Sequence, residues 1–457
     1  MNRNFIKNIL LFILFFLQLN ANGAELSYKD ILDTAINNSF DLKMSTLDIG
    51  ISKSQLKSVR ADWYPTLSLQ FNTEYNKDLT GGNGNYAYAG NTMITPYTQF
   101  RDMMYLTLSY NLIDYGIQGK KVHIAKQELA QKEAAYNIQL KELKLKILNL
   151  YSEAQQYNNT IAIKNEILKL YKQMFVNKER IYKSGLNNKL SVMDEAIKIA
   201  KAQNELENSK LDLTKILEDL SYYTKTSYDM NNISFKSIES YEEGSNHIFE
   251  IGVDDIIKTE IQQNDIVFVY HPEETEEAKY YDLEIEKKKA ELSILKRQQL
   301  PIFKFYTGYS LYGQNPHNYF DAIQDIGQRS LVFGISSQFM IFDGFKNKTS
   351  REKTNLEIEK LKLEKEKKIS ELENQYNKTF KTYQAYNNEL DINKKLLIEV
   401  KDKLNAVNRL NSNLLIEKNE LLGAKADLLT QECEIEKNII NLTAKIEEMK
   451  ILTGEDL

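Results

Sequence analysis

Sixteen positions spaced by four and three residues in turn, from Leu129 to Tyr182, limit what this chain can become. They read Leu129, Glu133, Tyr136, Leu140, Leu143, Ile147, Leu150, Ala154, Tyr157, Ile161, Lys164, Leu168, Tyr171, Phe175, Lys178 and Tyr182. Only Glu133, Lys164 and Lys178 are not apolar. Apolar residues at a 3.5-residue period, held this long, make one stripe on a helix that must face another helix, the coiled-coil signature. A single helix over 115–182 would rise roughly 100 Å at about 1.5 Å per residue, too long to pack inside one small domain. The period returns later at Ile358, Ile369, Leu372, Tyr376, Tyr383, Tyr386, Leu390, Leu397, Val400, Leu404 and Val407. Proline usage agrees, because proline breaks helix interiors. The chain of 457 residues has five, Pro65, Pro96, Pro272, Pro301 and Pro316, with none between 97 and 271 and none after 316.

The second occurrence belongs to an internal repeat. Leu112-Ile113-Asp114-Tyr115-Gly116 returns 229 residues on as Ile341-Phe342-Asp343-Gly344-Phe345. Ser191-Val192-Met193-Asp194-Glu195-Ala196 returns as Asn419-Glu420-Leu421-Leu422-Gly423-Ala424 at an offset of 228, which predicts one net deletion between the two points. Each copy reads helix, strand, strand, long helix, helix. Pro65 and Pro301 stand where helix turns into strand, behind Arg60 and Arg297. Each long helix meets a break, Lys183-Ser184-Gly185-Leu186 in the first copy and Asn411-Ser412-Asn413-Leu414 in the second. Glycine and asparagine accept the left-handed conformation that closes a helix. The predicted division is a first repeat over 24–225 with strands 66–76 and 104–113 and a helical hairpin over 115–225. A polar linker follows over 226–253. The second repeat, 254–457, has strands 302–312 and 331–342 and a hairpin over 344–452.

The four strand candidates alternate apolar and polar residues, as in Leu67, Leu69 and Phe71 against Ser68, Gln70 and Asn72. Each run is about 10 residues, the length of a membrane-spanning strand, with Trp63, Tyr64, Tyr75, Tyr105, Tyr312 and Phe342 near the ends as an aromatic girdle requires. Between the paired strands lie segments rich in Gly, Asn and Tyr, over 77–101 and 313–329, read as exposed outer loops. The N-terminus carries Arg3 and Lys7, an apolar run from Ile9 to Leu19 and the small residues Ala21-Asn22-Gly23-Ala24. That is the layout of a secretory signal peptide, assigned to residues 1–23. A chain exported in this way with no long apolar helix can enter a membrane only as a closed β-barrel.

Other chemistries find no support. The formal net charge of −5 gives no footprint for nucleic acid. Cys433 is the single cysteine, and His123, His247, His271 and His317 lie far apart in sequence. No metalloprotease, nucleophile-elbow or phosphate-loop motif is present. The expectation is a non-enzyme with no cofactor and no metal site.

Four strands cannot close a transmembrane barrel, since the smallest have about eight. Three chains pooling their strands would supply twelve. This layout resembles the TolC-like outer-membrane efflux protein family over essentially the whole mature chain. The resemblance rests on the duplicated plan, the Arg60…Pro65 and Arg297…Pro301 junctions, the Ile113–Gly116 and Phe342–Gly344 junctions, and the tip Tyr182-x-x-Gly185-Leu186. It implies a homotrimeric channel of mixed α and β structure in the outer membrane of a Gram-negative bacterium. A 12-stranded barrel, embedded in outer-membrane lipid, would continue into a periplasmic α-helical coiled-coil barrel. The resemblance further implies a passive exit duct docked to a periplasmic adaptor protein and, through it, to an inner-membrane transporter. The tips Lys183, Ser184, Gly185, Leu186, Asn411, Ser412, Asn413 and Leu414 would meet the adaptor. The family pattern puts acidic residues six and nine positions after the second tip, where this chain has Asn419 and Leu422. Glu417, Glu420 and Asp194 are the nearby carboxylates that could form the gate ring instead. The competing expectation is a coiled-coil structural or adaptor protein of the cell surface or periplasm.

Overall fold

A computed structural model describes residues 24–454 except 78–86, 90–91, 95–98, 187, 231–232, 239–269, 316–317 and 414. The expected signal peptide, Leu414, Pro96, Pro316 and most of the linker lie outside the described residues. The chain divides into two compact units. One holds residues up to Thr46, Ala135–Lys279 and Lys367 onward; the other holds Leu47–Ala134 and Tyr280–Glu366.

The first half runs β1 (Ala24–Leu26), α1 (Tyr28–Asn38), α2 (Phe40–Ala61), β2 (Thr66–Asn76), β3 (Ala87–Ala89), β4 (Thr92–Ile94), β5 (Gln99–Ile113), α3 (Ile117–Lys183) and α4 (Lys189–Thr224). After β6 (Ile233–Phe235) come α5 (Glu276–Arg297), β7 (Ile302–Asn315), α6 (Tyr319–Gln324), β8 (Gln328–Gln338), α7 (Lys346–Ser412) and α8 (Lys418–Thr453). Helices α3 and α7 are each 67 residues long, and α4 and α8 are each 36. Ile117 and Lys346 are 229 apart, and so are Lys189 and Lys418, so the net deletion expected from the Ser191–Ala196 match is not present. The second tip accounts for it. The Asn413 N–H still bonds the Arg409 carbonyl four residues back, as Ser184 bonds Arg180, so Asn413 stands level with Ser184 and not with Gly185.

In the first unit the heptad stripe of α3 forms the core. Leu143, Ile147, Leu150 and Ala154 are buried with Leu213, Ile216, Leu217 and Leu220 of α4 and with Ile31, Leu32 and Ala35 of α1. Tyr151, fully buried, points its hydroxyl at the Leu26 and Lys236 carbonyls, 2.8 and 2.5 Å away. It thereby holds β1 in its parallel pairing with β6. Leu390 and Leu397 of α7 pack on Ile435 of α8, and Tyr376, Phe380, Tyr383 and Tyr386 surround Leu442, Ile446 and Met449.

In the second unit β2, β5, β7 and β8 form one antiparallel sheet in that order. Register sorts its side chains onto two faces. Leu67 pairs with Leu108, Leu69 with Leu106 and Phe71 with Met104; Met104 meets Leu311, Leu106 meets Tyr309, and Tyr309 meets Leu331. Phe333 and Ile335 complete this apolar face. The opposite face carries Ser68, Gln70, Asn72, Tyr105, Thr107, Ser109, Tyr306, Ser310, Ser330 and Ser336. On it, Gly334 lies under the Tyr306 ring, in the space its own side chain would fill, the arrangement by which an aromatic ring covers a strand glycine.

Several strand limits differ from the sequence expectation. β5 begins at Gln99, not 104, because Phe100 and Asp102 extend the alternation through a polar stretch. β7 continues to Asn315, not 312, paired to Phe100 despite its polar end. β8 covers Gln328–Gln338 rather than 331–342, since Phe339–Phe342 are apolar but pair with no strand. The outer segment 313–329, expected to be a loop, contains α6.

The two strand-to-helix junctions are built alike. At each, two successive residues adopt left-handed backbone, Tyr115 and Gly116 at φ 54° and 78° and, 229 residues on, Gly344 and Phe345 at φ 67° and 66°. Asp114 accepts from the Gly116 and Gln118 N–H groups at 2.9 and 2.7 Å, and Asp343 accepts from the Asn347 N–H at 2.9 Å. The side-chain amide of Gln118 donates to the Val59 carbonyl at 2.5 Å, and that of Asn347 to the Leu295 carbonyl at 2.8 Å. Arg297 also donates to the Tyr115 carbonyl at 2.8 Å, binding the second repeat's junction to the first. Pro65 and Pro301 each fall in the non-helical step between the preceding helix and β2 or β7. Lacking an N–H, proline suits the residue just before a strand's first ladder bond.

Candidate functional site

The two helix breaks are local structures with different closures. In the first, Gly185 is left-handed at φ 74°, its N–H reaches the Tyr182 carbonyl at 2.9 Å, and the Leu186 N–H reaches Ile181 at 3.2 Å. This double closure is a Schellman motif, and the positive φ is why glycine stands there. Ser184 adds a hydroxyl bond to the Ile181 carbonyl at 2.7 Å, and Lys183 pairs with Glu179 of its own helix at 2.7 Å. Asn188 then caps α4, its side chain accepting from the Ser191 N–H at 3.0 Å. All four residues from Lys183 to Leu186 are exposed, Leu186 at 82%.

In the second break the Leu415 N–H reaches Leu410 at 3.0 Å, and the Ser412 hydroxyl bonds the Asn408 carbonyl at 2.9 Å. Asn411 is half-buried, whereas Ser412 and Asn413 are exposed. Glu417 sits at the N-cap of α8, 229 residues after Asn188, but its side chain makes no cap bond.

Glu417 instead reaches across to α3, where its carboxylate accepts from Lys178 Nζ at 2.5 Å. Two residues on, Asn419 is buried and doubly bonded to the same helix. Its Nδ2 donates to the Met174 carbonyl at 3.0 Å and its Oδ1 accepts from the Asn177 amide at 3.0 Å. Leu422 is buried one turn further along α8. Glu417 and Asn419 therefore lie together at the contact of α8 with α3. Glu420 and Asp194 are exposed and take no part in it. The acidic residue that is buried on α4 is Asp194's neighbour Glu195, which pairs with Lys198 at 3.1 Å and leaves Oε2 without a partner.

The residues that sequence reasoning did not assign here are Asn177 and Lys178. Lys178 is one of three interruptions in the heptad stripe, and a second, Lys164, also reaches across, to the Ser209 hydroxyl at 3.0 Å. A charged residue in an apolar seam was the available signal. Cys433, facing Thr160 at 3.8 Å, has its thiol pushed up by burial and is a packing residue. Among the described residues no group of His, Cys, Asp or Glu is arranged to hold a metal ion.

Comparison with known proteins places this architecture. Residues 31–224 match the outer membrane efflux protein family. No curated protein matches the chain. Among solved structures it is similar to CusC, at 16% identity and a TM-score of 0.73, over 93% of this chain and 91% of that one. It is similar to the outer membrane protein VceC from Vibrio cholerae, at 14% identity and 0.72, over 93% and 96% of the two chains. It also resembles the Campylobacter jejuni CmeC outer membrane channel, at 13% identity and 0.71, over 93% and 85%. The first repeat thus matches the outer membrane efflux protein family by sequence, and both repeats share the fold of these outer-membrane channels.

Proposed function

We propose that three copies of this chain form the outer-membrane exit duct of a tripartite export system. The observation that carries this reading is the four-stranded sheet. Among the described residues β2 and β8 each have a strand neighbour on one side only, both are 11 residues long, and their apolar side chains Leu67, Leu69, Phe71, Leu331, Phe333 and Ile335 are all more than half exposed. Open edges of equal length beside an apolar face invite pairing, and closure removes them. Pooling three sheets gives a 12-stranded barrel with the apolar face toward lipid and the hydroxyl- and amide-rich face toward water. Among the described residues no helix is long and apolar enough to cross a membrane.

The helices continue the duct through the periplasm. Lys183–Leu186 and Asn411–Leu414 are the surfaces offered to a periplasmic adaptor, which links the duct to an inner-membrane transporter. That transporter supplies the energy, and the duct carries out no bond chemistry. The contact of Glu417 and Asn419 with Met174, Asn177 and Lys178 ties α8 to α3 next to the tips, and we assign the gate there. Glu420 and Asp194, exposed near the mouth, set the charge that permeating ions meet.

Purified protein should run as a heat-dissociable trimer and give discrete single-channel conductance in planar bilayers. Replacing Lys178 and Asn177 with alanine should raise that conductance. Folded trimer that never conducts would sink the duct reading; a conducting trimer indifferent to both substitutions would move the gate elsewhere.

A further inference from the structure

Helix α6, in the segment between β7 and β8, lies on the apolar face of the sheet, at the end away from the helix junctions. The Tyr319 ring packs edge-on against Phe100 with centroids 4.2 Å apart. Ala322 is fully buried, and Gly313 leaves room for the Ala322 carbonyl and the Ile326 side chain where a Cβ would collide. Tyr319, Ala322 and Ile326 are thus the seated side of the segment. Asn318 caps it by accepting from the Asp321 N–H at 2.8 Å, and Asn315 of β7 holds Asp325 at 2.9 Å.

Beneath α6 sits Asp102, a carboxylate on a face made mostly of Leu, Phe, Met and Tyr, with Thr73, Thr307, Asn315 and Arg329 among them. It is 1% exposed, accepts the Thr73 hydroxyl with one oxygen, and has no hydrogen-bond partner for the other. A carboxylate bare to hydrocarbon is costly, and α6 keeps the surroundings off it. The outer side of α6 is apolar. Phe320 is 79% exposed and Ile323 44%, three residues apart and so on one face of the helix.

We propose that α6 is an interfacial anchor, lying along the outer rim of the barrel with Phe320 and Ile323 inserted at the boundary between lipid headgroups and acyl chains. The proposal rests on the reading that the apolar face meets lipid. Lipid is the occupant because the patch continues that face: Tyr319 packs on Phe100, which pairs with Tyr75, and past the row of Thr73, buried Asp102 and Gly313 comes the apolar row of Phe71, Met104 and Leu311. Asn318, Asp321 and Asp325 border it, as an interfacial helix keeps polar groups at headgroup level.

The test uses the full chain with Trp63→Phe and Phe320→Trp, reconstituted into liposomes containing brominated phosphatidylcholines. Bromines placed near the headgroup should remove about half or more of the emission, while aqueous iodide should remove little. Strong iodide quenching with none from bromolipid would put α6 in water and overturn the proposal. Quenching by neither would mean that a neighbouring protein surface covers it, which also overturns the proposal. A parallel Phe333→Trp variant separates the two readings. If Trp at 333 is not quenched by bromines deep in the acyl chains, the barrel reading has failed; if it is and Trp at 320 is not, only the anchor has. Should the tryptophan variants not fold, a nitroxide on Phe320→Cys, with the buried Cys433 unlabelled, decides the same point by its accessibility to oxygen against an aqueous nickel chelate.

Discussion

Helices α4 and α8 occupy the same place in the two repeats and have the same length, yet they are embedded differently. α8 buries sixteen of its residues and α4 eight. Where α8 begins with buried Asn419 and Leu422, α4 at the matching positions has Leu190 and Met193, 69% and 51% exposed. The caps divide in the same way. Asn188 turns its side chain onto its own helix, whereas Glu417 turns outward to Lys178 of α3. One repeat thus has a start held by itself, and the other a start held by its neighbour. A helix start fastened by side-chain bonds to its neighbour can be released without unfolding, which suits the second repeat to the moving part of the proposed gate.

The comparison can be broken most severely by destroying what both helices pack on. Ile147→Pro removes a helical bond and a fully buried side chain from α3, a loss of about 3 kcal/mol or more in each protomer. No trimer band should form on native gels; a normal trimer would show that the α3 stripe is not the seam. Next in size is Asn419→Ala, which leaves the Asn177 amide without its acceptor and should cost about 1–3 kcal/mol by denaturant unfolding. Leu190→Ala at the matching position should leave the protomer near neutral and weaken only subunit association. Equal losses at the two sites would erase the distinction.

The caps offer a finer test. Asn188→Ala should cost about 1 kcal/mol whatever the salt concentration. A double-mutant cycle on Lys178 and Glu417 should give a coupling below about 1 kcal/mol, since Glu417 is half exposed, and one that fades as salt rises. Smallest is the effect of Glu436→Gln. Burial, aided by the Glu432 charge and opposed by the Asn159 hydrogen bond, raises the Glu436 carboxyl above the ordinary glutamate range. A raised carboxyl favours the fold when protonated, and that contribution is lost as pH rises through its folded value. Glutamine should therefore stabilise at pH 7, by less than about 1 kcal/mol, with the gain vanishing below the ordinary glutamate range. Its counterpart Glu207 is exposed and paired to Lys210 at 2.9 Å, so Glu207→Gln should change melting little.

What could be read from the sequence follows from how local each signal is. The heptad stripe was legible because Leu143, Ile147, Leu150 and Ala154 need only their own spacing to declare a buried face, and they are buried. The alternation of Leu67, Leu69 and Phe71 was legible for the same reason. The end of β8 was not, since Phe339–Phe342 look like strand until the ladder with β7 stops at Gln338. Helix α6 was hidden by its length, although Asn318 and Asp321 carry a capping signal. At the proposed gate, Glu417 and Asn419 could be named as candidates, but their partners on α3 are some 240 residues away in sequence, and only Lys178's intrusion into the apolar seam hinted at them.

If three sheets close into the proposed barrel, the glycine under Tyr306 bears on the width of the passage. A ring that lies flat against the wall occupies little of the bore, and it lies flat only because residue 334 has no side chain. Any larger residue there would lift the phenol off the wall and toward the axis, three times over in a trimer. In the proposed barrel the bore at that height would therefore be set by what is missing from the adjacent strand.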